Sequence, residues 1–424
     1  MRTFHHWGSA LALLCLSVST AAAVEPVYGP QTHDRTAAAL TRYQDIAQRG
    51  GWQTLPQVVK DLKVGAAGPD VIALHKRLAI DGDIDASQAD KDQFTDVTTD
   101  ALKKFQARHG LSLTGTVGVL TLRALNVPVE TRLKQLTASL ERLKNNGFSF
   151  GQRYVVVNIP GASAEAVENG QVAQRFAAVV GRPDRASPVL ETRITAINLN
   201  PTWTAPISIV KNDIMPKVAK DPTFLTKNNM RVIGQGGAEI DPTTINWNNT
   251  AAIPFGIRQD AGPTNSLGQM RIDMPNAHAV YMHDTPKKSL FRSDIRFHSS
   301  GCARIQNVRD LAAWLLEGTG VDRIAIETGI ESGETKTIRL AKSVPVAWIY
   351  LTAWGDSDNA VQFRDDIYKL DDSAKEIAAS TLTAKRAPIG VDPVATGSIP
   401  AKPKPAKNVV ATAEPAPVAA AEQQ

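Results

Sequence analysis

At Tyr154 the chain changes its period. Upstream, apolar residues recur at helical spacing. Downstream come the runs YVVVNI, FAAVVG, TAINLN and HAVYMH, set between Gly, Pro, Asn and Asp turns. A helical period and short runs rich in β-branched residues specify different elements. The expected fold class is therefore α+β, with a helical first part and a mostly-β second part.

The helical part resolves further. Residues 24–61 read as a short helical lead, AAALTRYQDIAQRGGW, followed by a loop with Gly50, Gly51 and Pro56. From Leu62 to Asn126 the spacing predicts a small three-helix module. Val71, Leu74 and Leu78 lie on one helix, and Thr98 or Thr99 caps a second that carries Ala101, Leu102 and Phe105 and stops at Gly110. A third helix after Gly115 and Thr116 turns Val117, Leu120, Leu122 and Leu125 inward. Leu133, Leu136, Leu140 and Leu143 mark the seam of one more amphipathic helix, which packs on a neighbouring domain.

In the β part, residues 203–250 break the rhythm with a helix through Ile214–Lys220 and an Asn-rich stretch, an insertion of the kind that forms lids. Asn307 and Asp310 resemble a capping box opening the helix VRDLAAWLLEG, and PVAWIYLTAW at 345–354 is a further β-rich run. Residues 373–424 turn to Ala, Pro, Lys, Ser and Thr, a composition too poor in large apolar groups to offset ordering entropy.

Arg2 and two histidines precede the apolar run ALALLCLSV and then Ala21-Ala22-Ala23, the layout of a secretory signal peptide ending at residue 23. The run is too short for a membrane span. The sequence has 2 cysteines, so cleavage after Ala23 would remove Cys15 and leave Cys302 alone. A single thiol in an exported chain is either reactive or merely a small buried apolar group. A formal charge of +5 without a dense Lys/Arg cluster argues against a nucleic-acid partner.

The residues around Cys302 favour reactivity. A nucleophilic cysteine needs a base or cation and donors for the oxyanion formed on attack. His283 ends the strand AVYMH, and His298 stands shortly before the thiol. Gly301 permits tight backbone geometry, so that N–H groups at Gly301 and Cys302 can line an oxyanion hole, and Arg304 can meet a substrate carboxylate. The same His and Cys residues raise a zinc reading, but no fourth ligand sits at zinc spacing, so no metal is expected.

The stretch IPFGIRQDAGPTNSLGQMRIDMPNAHAVYMHDTPKKSLFRSDIRFHSSGCARI closely resembles the catalytic core of the L,D-transpeptidases, the YkuD-type cysteine enzymes of bacterial cell walls. The resemblance rests on His283-Asp284-Thr285-Pro286, on Ser299-Ser300-Gly301-Cys302-Ala303-Arg304, and on the run from Gly262 to Gly268. Ser300 and Ala303 depart from the commoner family residues. FQARHGL and TGTVGVLTLRALN resemble a peptidoglycan-binding domain 1 module, and the 203–250 insertion resembles the capping lid of the large Gram-negative members.

Residues and resemblance together give a division into a signal peptide (1–23), an N-terminal scaffold segment (24–61), a peptidoglycan-binding-like module (62–127) and a connecting helix (128–152). A catalytic domain (153–330), a C-terminal scaffold segment (331–372) and a disordered tail (373–424) complete it. The resemblance implies that Cys302 is the nucleophile and His283 the general base and acid. Gly301, Ser299 and Ser300 support the oxyanion and loop, and Arg304, Tyr281, Asp284 and His298 contact substrate. A backbone carbonyl near Asp284 or Ser299 would orient His283. The expected activity is 3→3 cross-linking of peptidoglycan stems in the periplasm of a Gram-negative bacterium, without a cofactor, with other cell-wall enzymes as partners. Attachment of an envelope protein to peptidoglycan, hydrolysis of the stem, and a silent wall-binding scaffold are the alternatives.

Overall fold

The computed structural model describes residues 25–144, 147–249 and 253–372, so the expected signal peptide and tail lie outside the described residues. These residues form two compact units, one of 25–203 with 260–372 and the other of 204–259.

The first unit begins with α1 (Thr32–Gln48). The module follows as α2 (Pro69–Asp81), α3 (Asp96–Arg108) and α4 (Val119–Leu125). Pro69 suits the first position of α2, where its missing N–H costs nothing, and Gly82 ends that helix in the left-handed conformation. Val71, Leu74, Leu78, Leu102, Phe105, Leu122 and Leu125 close on one apolar core. The expected cap of α3 is corrected. Thr95 is the N-cap, and Thr98 is its reciprocal partner, its hydroxyl accepting from the Thr95 N–H at 3.2 Å. Spacing alone does not separate the two threonines, because both belong to one capping box. The leucine seam lies on α5 (Val129–Lys144), with Leu136, Leu140 and Leu143 buried.

The β part opens with β1 (Arg153–Asn158), β2 (Ser163–Glu168), β3 (Gln171–Gly181) and β4 (Leu190–Leu199), and reaches the second unit through β5 (Trp203–Thr204). The second unit holds α6 (Ile207–Ile209), a π-turn over Val210–Ile214, α7 (Met215–Lys220) and α8 (Phe224–Lys227). It also holds β6 (Met230–Ile233), β7 (Glu239–Ile240) and β8 (Gly256–Gln259), in a sheet of order β5-β8-β6-β7.

The first unit resumes with β9 (Met270–Asp273), β10 (Met282–His283), β11 (Phe297–Ser299) and β12 (Ala303–Ile305). Then come α9 (Val308–Leu315), α10 (Arg323–Glu331), the long β13 (Lys336–Ile349) and the hairpin of β14 (Ala353–Gly355) and β15 (Val361–Phe363). The large sheet has the order β11-β3-β12-β10-β9-β4-β13-β1-β2, and β2 also pairs with β3. The strands from β3 round to β2 therefore close on themselves, with β11 outside the ring. Ile197, Ile272, Met282, Ala303, Ile305 and Trp348 share a core with Leu311 and Leu315 of α9.

Two expectations fail for local reasons. HAVYMH does not run as a strand; only Met282 and His283 join the ladder. The Asn276 side chain takes the His278 and Val280 N–H groups at 3.0 and 3.3 Å, and Ala279 sits at a φ of 56°, so the run folds as a turn. The capping box at α9 is also absent. Asn307 is left-handed and makes no side-chain cap, while Asp310 pairs with Arg323 of α10.

Candidate active site

Strand alternation builds the site. On β10 and β12, Met282, Ala303 and Ile305 belong to the core, so alternation turns His283 and Arg304 to the other face, while Tyr281 and Cys302 stand just before the two strands, partly buried against that core. His283 pairs in register with Arg304 on one side and Arg271 on the other. Arg271 and Asp273 alternate with Ile272 and so belong to the same face, ion-paired at 2.7 Å. The Tyr281 and His283 rings meet edge to face at 5.7 Å, and the Arg271 guanidinium lies 5.5 Å from the Tyr281 ring centre.

Cys302 is a half-buried free thiol. Burial pushes its pKa up to about 11, against the Tyr281 backbone amide and the charges of Arg304 and Arg271, which favour thiolate. His283 is buried, and burial together with Arg304 and Arg271 pushes its pKa down to about 3. Both groups are neutral at pH 7, and no hydrogen bond joins them. The backbone carbonyls of Asp284 and Leu267 favour the protonated imidazole, yet Nδ1 has no hydrogen-bond partner. An orienting carbonyl was expected near Asp284 or Ser299; the carbonyls that favour the charged ring are those of Asp284 and Leu267. At a pKa near 11, ~1 thiol in 10⁴ is ionised at pH 7. Alkylation by iodoacetamide is accordingly expected to climb steadily from pH 7 to pH 10. A plateau between pH 5 and 8 would mean a preformed thiolate–imidazolium pair and contradict this geometry.

The Cys302 loop is held by the Ser299 hydroxyl. Ser299 accepts from the Gly301 N–H at 3.2 Å and donates to the Cys302 carbonyl at 2.5 Å. The expected pair of oxyanion donors thus becomes one: the Gly301 amide is spent on Ser299, whereas the Cys302 N–H has no acceptor among the described residues. Ser300 is exposed and accepts from Arg185 at 3.1 Å. Arg304 is half-buried, and its Nε has no partner. It is a cation beside the thiol, free to take a carboxylate.

Two residues expected to contact substrate bond within the chain. The His298 imidazole is exposed and bonds the Ile295 carbonyl at 3.1 Å, with no bond to Cys302 or His283. Asp284 is buried; one oxygen accepts from the Gln269 N–H at 3.1 Å and the other pairs with Lys288. A Cβ on Gly268 would stand 2.5 Å from that carboxylate, and Gly268 has a φ of 61°, so glycine is required there. Asn265, fully buried, bonds the Pro201 and Asp260 carbonyls at 3.0 and 2.9 Å and fixes the turn. The run from Gly262 to Gly268 therefore seats Asp284 beside His283. Arg271 was not singled out by the sequence, since a lone arginine on a strand carries no motif. Among the described residues no three His, Cys, Asp or Glu side chains converge as a metal site.

A family model described as "L,D-transpeptidase catalytic domain" (YkuD) matches residues 152–326, and one described as "Putative peptidoglycan binding domain" matches residues 67–125. A Haemophilus influenzae protein named "Putative L,D-transpeptidase" is 33% identical over 218 residues, which is 51% of this chain but only 44% of that protein's length. An L,D-transpeptidase structure from Stackebrandtia nassauensis is 14% identical over 69% of this chain and 96% of that chain, with a TM-score of 0.27. One from Mycobacterium smegmatis is 14% identical over 47% of this chain and 58% of that one, with a TM-score of 0.24. Superpositions that loose add nothing to the sequence matches.

Fold and site define a protein that joins a β-rich thiol-bearing domain to a small helical module. The β-rich domain is similar to the YkuD L,D-transpeptidase catalytic domain, and the module to a peptidoglycan-binding domain.

Proposed function

We propose that this chain is an exported L,D-transpeptidase of the cell envelope that makes 3→3 cross-links in peptidoglycan. The observation that carries the reading is the strand pair β10–β12, at which Cys302, with an unspent amide, lies beside His283 and an unpaired Arg304, inside the YkuD match. The Cys302 thiol attacks the amide between the third stem residue and the terminal D-Ala. As the S–C bond forms, the thiol proton passes to neutral His283, and the Cys302 N–H holds the oxyanion. The C–N bond then breaks, His283 returns the proton to the D-Ala amine, and a thioester remains. A side-chain amine of a second stem attacks the thioester, releasing the thiol and forming the new amide. Arg304 binds a stem carboxylate, and the 67–125 domain holds the polymer near the site.

Mass spectrometry of products from disaccharide-tetrapeptide muropeptides tests this. Dimers lacking one D-Ala, formed by the parent chain and not by Cys302→Ala, are the expected result. Tripeptide alone would indicate hydrolysis or a missing protein acceptor, and no product from the parent would overturn the enzymatic reading.

A further inference from the structure

Oxyanion stabilisation at Cys302 depends on which way one peptide plane faces. In a trans peptide the C=O and the following N–H point in opposite directions. The Gly301 carbonyl therefore decides where the Cys302 N–H aims. Gly301 has a φ of 118°, in a region where glycine moves freely, so this plane is the one in the loop most able to turn over.

A buried serine holds it. Ser187 donates from Oγ to the Gly301 carbonyl at 2.7 Å and accepts from the Gly181 N–H at 2.9 Å. The direction is unambiguous, because an amide only donates and a carbonyl only accepts. Ser187 is itself placed by Tyr368, whose hydroxyl accepts from the Ser187 N–H at 3.1 Å and donates to the Gly181 carbonyl at 2.6 Å. Tyr368 comes from the segment after β15, outside the matched catalytic domain. Its own N–H donates to the Tyr350 hydroxyl at 2.8 Å, and the segment is tied to α5 by Arg142 and Asp371 at 2.7 Å.

We infer that Ser187, set by Tyr368, is a positioning residue for acyl transfer: it locks the Gly301–Cys302 peptide so that the Cys302 N–H meets the developing oxyanion. The inference rests on the reading of Cys302 as the nucleophile.

Two electrophiles separate positioning from general support. Iodoacetamide alkylates the thiol by direct displacement and forms no oxyanion, whereas a stem amide must form one. With Ser187→Ala in the full chain, D-Ala release should fall ~10–100-fold, somewhat less than the loss of a whole oxyanion donor. Iodoacetamide alkylation should keep its rate and pH dependence. Ser187→Thr, which retains the hydroxyl, should recover most of the release rate. Tyr368→Phe should give the same split to a smaller degree, and it decides the matter if Ser187→Ala does not fold. Unchanged release in these variants, or release and alkylation falling together, would overturn the positioning role. Release at the parent rate from Cys302→Ala would instead overturn the nucleophile assignment.

Discussion

Cys302→Ser is expected to lower D-Ala release from tetrapeptide stems by at least ~10³-fold while leaving the fold intact. The substitution exchanges one atom at a half-buried position, so its effect on stability should stay within ~0.5 kcal/mol. The chemical change is much larger. A hydroxyl loses its proton far less readily than a thiol, and it depends more on the strength of its base. His283 is a weak base here, because burial and the charges of Arg304 and Arg271 act against the imidazolium form. No carboxylate orients its ring, and Nδ1 is unpaired. A serine triad draws on a buried carboxylate bonded to its imidazole, and among the described residues no carboxylate bonds His283. In the proposed reaction sulfur meets the shortfall by attacking with little prior proton transfer. Release of D-Ala and thermal unfolding, measured on the same preparation, check the prediction. Activity of the serine variant within tenfold of the parent would mean that His283 is a far stronger base than its surroundings allow.

The candidate pair was legible in the sequence because its parts lie close along the chain: His283 ends β10 and Cys302 directly precedes β12, the strand paired with it, with one strand, β11, between them in the chain. What holds them was not. Ser187 and Gly301 are separated by 114 residues and Tyr368 and Gly181 by 187, and a hydroxyl in a loop has no periodicity to expose it. The closed sheet had a similar gap. β2, with the sequence SAEAVE, is rich in alanine and acidic residues and poor in β formers, yet it is buried along its middle because β1 and β3 flank it. Tertiary pairing decided that strand, not local preference. Asp284 and His298 show a different limit, since in the structure both bond within the chain. Both stand within the motif, and proximity in sequence does not tell a side chain that reacts from one that braces the loop.

The same limit applies to the charges inside the module, which carry the largest expected effect on stability. Asp81→Ala should destabilise the helical part by about 3–5 kcal/mol, the cost of stranding buried charges. Asp81 is buried and accepts from Arg77 and Arg108, each at 2.6 Å, and from the Tyr43 hydroxyl at 2.7 Å. Arg77 also bonds the Leu125 carbonyl at 2.9 Å and lies 3.8 Å over the Trp52 ring, so one carboxylate ties α1, α2, α3 and the end of α4 together. Burial alone would raise the Asp81 pKa, but Arg108 and Arg77 pull it well below the usual carboxylate range. Its contribution is therefore complete above the ordinary value of 3.8 and is lost as acid titrates the folded carboxylate. Asp83 behaves differently: burial outweighs its bonds to Arg108 and raises its pKa, so it contributes less as an anion. Asp83→Ala should cost clearly less than Asp81→Ala, because Arg108 keeps Asp81, whereas Asp81→Ala leaves Arg77 with no carboxylate. Hydrogen exchange of the α2 and α3 amides reads both variants locally, without requiring the whole chain to unfold as one unit. If the two substitutions were equal, or Asp81→Ala cost under 1 kcal/mol, the network would be a set of independent contacts rather than one centre of charge.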